Sequence, residues 1–140
     1  MSGSSKRRVV VVLGMIVGIP LLGAAVFTGL VVLGPTFDSY RHQLSFDAEA
    51  WRAGLRDDGV MWPTRLRMAD DLVRAKRLSG LSRPEVERLL GTPDTTAKFR
   101  NWDLVYHLGP ERGLIRIDSE WLVVRLTPDQ RVSEYRLVRD

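Results

Sequence analysis

The sequence predicts a single-pass membrane protein with one soluble α+β domain: two helices packed on a small antiparallel sheet of three to four strands, preceded by one transmembrane helix. Three observations predict it. Residues 9–33 form an apolar run without a charged side chain. Two later stretches, 64–77 and 82–91, place apolar residues three and four apart, which is the period of one helix face. From Trp102 onward apolar residues alternate with period two, the pattern of half-buried strands.

The apolar run, VVVVLGMIVGIPLLGAAVFTGLVVL, carries Thr28 as its one polar side chain. A hydrocarbon core is crossed by about 20 apolar residues at 1.5 Å each, so the run is long enough to span it with some tilt. A cleaved signal peptide has an apolar stretch of about 7–15 residues and a small-residue exit. Gly23, Ala24 and Ala25 resemble such an exit, but the run continues to Leu33, which favours an uncleaved anchor. Gly14 and Gly18 form a GxxxG pair, a spacing that lets two helices approach and suggests weak self-association. Lys6, Arg7 and Arg8 directly precede the run, whereas the far side offers Asp38 before Arg41. Flanking positive charge stays on the cytoplasmic side. The expected organisation is a basic cytoplasmic leader (1–8), a helix in the cytoplasmic (inner) membrane (9–33), a juxtamembrane segment (34–60) and an extracytoplasmic domain (61–140).

The formal charge of +4, from 21 basic and 17 acidic residues, invites a nucleic-acid reading. Its distribution argues against one. Three of the basic residues lie in the leader and every acidic residue follows the apolar run, so the soluble part holds 18 basic against 17 acidic residues, a net +1. Those charges are interleaved, and phosphate-backbone binding needs concentrated positive charge. The chain has no cysteine, which excludes disulfides, thiolate nucleophiles, cysteine-based zinc or iron–sulfur sites, and a lipid-modified N-terminal cysteine.

Phe37 and Tyr40, at the exit from the apolar run, suit the headgroup level. A short weak helix is expected over 46–54, with Phe46, Ala50 and Trp51 on one side. The helix over 64–77 opens after Pro63 and is followed by Gly80; Leu66, Ala69, Leu72, Val73 and the stem of Lys76 share one face. Asp70 and Asp71 point about 100° apart on such a helix and so do not converge as a catalytic pair. Arg67 and Arg74 lie within a turn of them, which suggests a solvated ion-pair face.

The next helix has the strongest local grammar. Ser82 caps it, with Glu85 reaching back to form a capping box, and Leu81 packs on Val86 as a staple. Pro84 occupies the first turn, where its missing N–H costs nothing. Val86, Leu89 and Leu90 form the apolar stripe, Gly91 ends the helix, and Pro93 prevents its resumption. Strands then follow: 102–108, a brief apolar stretch at 114–117, 121–126 with Leu122, Val124 and Leu126 on one side, and 132–138 with Tyr135 and Leu137 on one side. The turn at 127–130 has Pro128 at its first bend position.

This order of motifs resembles the SmpA/OmlA (BamE-like) domain family. The resemblance is carried by Gly80, Leu81, Ser82, Glu85, Val86, Leu89, Gly91 and Pro93, then Asn101 to Tyr106, Trp121 to Leu126, and Arg131 to Tyr135. In that family a capped helix with a Leu-Gly-x-Pro exit precedes a small antiparallel sheet. Leu81 stands where Met is usual, Gln130 where a turn Gly is common, and a spanning helix replaces the lipid-bearing cysteine. The resemblance implies a fold, and a role in binding other proteins of the cell envelope.

Catalytic constellations are sparse. His42 and His107 are the two histidines, and neither has metal-ligand spacing to another strong ligand. Ser119, His107 and Asp118 can be drawn as a hydrolase triad, but no sharp nucleophile-bearing turn accompanies them. No phosphate loop and no cofactor motif is present. The sequence therefore favours a protein-binding or envelope-assembly scaffold over an envelope hydrolase. Trp51, Trp62 and Trp102 are the candidate partner-binding residues. Trp102, Tyr106 and Trp121 are either an exposed aromatic patch or core, with core expected for at least two of the three.

Overall fold

The helix signals are met in shortened form, and the strand signals with shifted or longer bounds, in a computed structural model of the chain, which describes residues 42–54, 61–112 and 116–140. The apolar run 9–33, its GxxxG pair and the basic leader lie outside these residues. So do residues 114 and 115 of the brief apolar stretch. Among the described residues no helix is long and apolar enough to cross a membrane.

Three helices precede three strands. Helix α1 (Ala48–Ala53) is capped by Asp47, whose carboxylate accepts the Ala50 N–H at 2.8 Å, and it turns Trp51 fully inward. Leu44, Phe46 and Ala50 pack against the same core. The fold therefore begins ahead of residue 61, and 42–54 is part of the domain rather than a spacer.

Helix α2 (Thr64–Arg74) buries Leu66, Met68, Ala69 and Leu72 as the spacing requires. It ends a turn earlier than expected, because the chain bends at Lys76, whose φ is +52°. The Lys76 stem is exposed rather than on the apolar face. Leu78, in the turn that follows, fills the core instead.

Helix α3 (Arg83–Leu90) closes its capping box: the Ser82 N–H and hydroxyl both donate to Glu85 Oε2 at 2.7 Å. Gly91 ends it at φ +87°, ψ −174°, a conformation that only a residue without a Cβ adopts readily.

Strands β1 (Leu104–Pro110), β2 (Ser119–Leu126) and β3 (Val132–Arg139) form an antiparallel meander in that order. Leu104 pairs with Val124 and Tyr106 with Leu122 across the first hairpin; Leu122 pairs with Leu137 and Val124 with Tyr135 across the second. These inward positions join the helices in one core of Trp51, Leu66, Leu72, Leu78, Val86, Leu90, Leu104, Tyr106, Leu108, Leu122 and Val124. The fold class is α+β, helices on one face of a three-stranded antiparallel sheet.

The other face is not simply solvated. Trp102, Val105, Trp121 and Val123 form a second apolar cluster, with Phe99 and Val138 packed against it. The connection from α3 to β1 folds back here: the Asp94 N–H donates to the Val105 carbonyl at 2.8 Å, and the Trp102 N–H to the Phe99 carbonyl at 2.9 Å. Burial on both faces explains the unbroken apolar run Trp121-Leu122-Val123-Val124, since alternation is lost where neither side meets water.

Candidate functional site

The outer sheet face combines aromatic rings with arginine. Arg125 of β2 and Arg136 of β3 both lie over the Trp102 indole, at 4.4 Å and 5.0 Å from its ring centre. Cation–π attraction of this kind contributes about 0.5–1 kcal/mol where exposed and more where water is excluded. Glu134 sits 3.9 Å from the Arg136 guanidinium. The Nε of Arg125 is buried with no hydrogen-bond partner among the described residues. Trp102 itself is 9% exposed, so what meets solvent is largely arginine laid over an aromatic support.

Trp121 on the same face is occupied by its own chain. His107 meets it edge-on at 4.7 Å and Phe99 tilts against it at 5.9 Å. Its indole N–H donates to Asp140 Oδ1 at 3.3 Å, and Asp140 is also ion-paired to Lys98.

The two sheet edges differ. The outer edge of β1 is closed by Asp94, which donates to Val105 and accepts the His107 N–H at 2.6 Å. At β3, Val132 donates to the Leu81 carbonyl at 2.8 Å. Among the described residues, no backbone group outside the sheet bonds to residues 133–138. Ser133, Glu134 and Arg136 are exposed along this edge. It is therefore open to a further strand, and it adjoins the Trp102–Arg136 pair.

The sequence-predicted residues separate. Trp51 is fully buried under the helices and has no surface to offer. Its backbone carbonyl and ring instead hold Arg65. Trp62 is half-buried, stacked with His42 at 4.5 Å and 3°, with Arg116 over it at 4.5 Å. Tyr106 is core, its hydroxyl donating to the Gly91 carbonyl at 3.2 Å, and burial pushes that hydroxyl above its ordinary pKa. Trp102 and Trp121 belong to the second cluster rather than the first.

Ser119 and His107 lie on adjacent strands, where Ser119 pairs with Pro110 and His107 with Trp121. The Ser119 N–H donates to Asp140. No hydrogen bond joins Ser119, His107 and Asp118, and no group of three or more metal-ligating side chains occurs among the described residues.

Two buried charged clusters complete the architecture. Arg65, 2% exposed, donates to the carbonyls of Trp51 (3.1 Å) and Leu90 (3.3 Å), so it caps the C-terminal ends of α1 and α3 together. Burial lowers its pKa, with Asp94 opposing. Arg112 grips Glu120, itself 2% exposed, through Nε (3.1 and 3.0 Å) and a terminal nitrogen (2.7 Å), and ion-pairs with Asp70. Burial alone would lower the Arg112 pKa, but its bonds to Glu120 and Asp70 raise it. Asp70 is thus drawn across the fold to β2's partner rather than to Arg67, which donates to the His42 carbonyl at 2.8 Å.

Both clusters had a sequence signal. Arg65 lies four residues before Ala69 and seven before Leu72, inside the apolar stripe, and Glu120 shares strand parity with Leu122 and Val124. No family model, curated protein or solved structure matches the chain.

Proposed function

We propose that this chain is a membrane-anchored, extracytoplasmic protein-binding module that scaffolds an assembly in the cell envelope. Residues 9–33 tether it to the cytoplasmic membrane, with the N-terminus in the cytoplasm. The observation that carries the binding reading is the outer sheet face, where Arg125 and Arg136 lie over Trp102 beside the open edge of β3. Tryptophan and arginine dominate interface hot spots because they combine large apolar area with directional donors. An unpaired strand edge supplies backbone groups for an added strand.

The tether reading is supported by the length and neutrality of the apolar run and by its basic flank. The resemblance of the sequence motifs at 80–93, 101–106, 121–126 and 131–135 to the BamE-like domain family implies a role in binding other proteins. The partner is a protein; the domain's net +1 gives no support to nucleic acid.

Site-specific photo-crosslinking in intact membranes tests this reading. A crosslinker at position 136 is expected to give a discrete adduct with one protein. The adduct should disappear when Glu134 is changed to Arg, and a crosslinker at Asp129, in the β2–β3 turn, should give none. Equal labelling from positions 136 and 129 counts against the face. A reporter fused after Asp140 that is active in the cytoplasm counts against the orientation.

A further inference from the structure

We propose that the end of the domain around Trp62 rests on the membrane surface, with Ile117 and Met61 inserted at the boundary between lipid headgroups and acyl chains. This rests on the anchor reading above. Among the described residues two large hydrophobic side chains are exposed, Ile117 at 83% and Met61 at 66%. Arg116, the residue before Ile117, donates to the Met61 carbonyl at 2.7 Å, so this arginine links the Met61 backbone to the segment that carries Ile117. The same guanidinium lies over the Trp62 indole, and the bond to Met61 uses one of its five N–H groups. No carboxylate pairs with it among the described residues. An indole at the rim, a cation with donors to spare and two solvent-facing apolar side chains are the composition of a membrane-interface contact.

The chain's path selects lipid over another occupant. The described structure begins at His42, whose ring stacks on Trp62, and the apolar run ends at Leu33. Nine residue steps separate Leu33 from His42, so the two lie at most about 32 Å apart even when the linker is fully extended. The patch therefore surrounds the point where the described chain begins, the end of the domain that a short linker joins to the apolar run. The β2–β3 turn at 127–130 lies at the far end of β2, an eight-residue strand and so about 27 Å away. It carries the exposed polar Asp129 and Gln130.

The absence of cysteine allows single labels to report single positions. Full-length protein carrying Ile117→Cys or Asp129→Cys, each with a polarity-sensitive fluorophore, is reconstituted into vesicles of phosphatidylcholine and phosphatidylethanolamine. The expected result is a blue-shifted label at position 117, protected severalfold from aqueous iodide relative to the label at 129, and unchanged when the lipid-to-protein ratio is raised. Equal iodide quenching at both positions, in protein that floats with the vesicles, overturns the proposal while leaving the anchor standing. Protection at 117 that is lost on lipid dilution assigns the patch to a second copy of the chain and also overturns it. Protein that fails to float with the vesicles overturns the anchor reading, and this proposal with it.

Discussion

Gln130 shows how one residue can sit against its backbone. It takes φ +59° in the turn between β2 and β3, where a side-chain-bearing residue pays about 1–2 kcal/mol relative to the right-handed region. Its side chain recovers part of this by accepting from the Arg83 Nε at 3.2 Å on the exposed surface. Its carbonyl also accepts the Arg83 N–H at 2.9 Å, a bond that any residue here retains. Gln130→Gly is therefore expected to raise stability by about 0.5–1 kcal/mol. The check is a higher urea midpoint with an unchanged slope. A lower midpoint would show that the Arg83 contact outweighs the strain. The resemblance to the BamE-like family marks this position, where a turn Gly is common. Trp51 is offered as a partner contact although Phe46, Ala50 and Trp51 already share one apolar side of the short helix, and that side is the one that packs on the core.

Elements were legible where their signals were local and complete. Helix α3 has its cap, stripe and stop within a dozen residues, and all three are seen. The spacing overextends helix α2 because Lys76 continues the apparent apolar face, although the chain has already turned there. The outer cluster was partly hidden, since it depends on the connection 91–103 folding over the sheet, a long-range event.

The Arg112–Glu120–Asp70 cluster belongs to this scale, tying α2 to the β1–β2 hairpin, with Arg139 of β3 donating to Glu120 at 3.4 Å. Removing Glu120 leaves the half-buried Arg112 with Asp70 alone. Glu120→Ala is expected to cost about 3 kcal/mol, the low end for breaking a buried pair because Arg112 keeps Asp70 and some water, whereas the paired change Glu120→Leu with Arg112→Met, which removes both charges, costs much less. Equilibrium unfolding of the two variants decides it. Losses of equal size would show that packing, rather than an orphaned charge, sets the cost.

At the scale of the whole molecule, two carboxylates fasten separate parts of one fold, and their titration sets its response to acid. Asp71 accepts the Phe46 N–H at 2.9 Å and pairs with Arg74 and Arg77, so it holds the entering chain against α2. The Phe46 N–H first, then Arg74, lowers its pKa. Glu85 holds the start of α3, and the Ser82 N–H and hydroxyl lower its pKa. A carboxyl group with a folded pKa beneath its unfolded one binds its proton more weakly in the native state. Its contribution is thus whole above the unfolded value and is lost as pH falls through the folded one. For both groups that window opens near the ordinary carboxylate range, about pH 4, and runs downward. The urea midpoint of the full chain should hold between neutrality and about pH 5, then fall. Asp71→Asn and Glu85→Gln should each lower the midpoint at neutral pH and flatten the acid fall. The two effects should add, because Asp71 and Glu85 share no hydrogen-bond partner. Urea is the proper denaturant here, since a salt would screen the charges under test. An acid fall of unchanged steepness in the double variant would assign the transition to other carboxylates and refute the role given to these two.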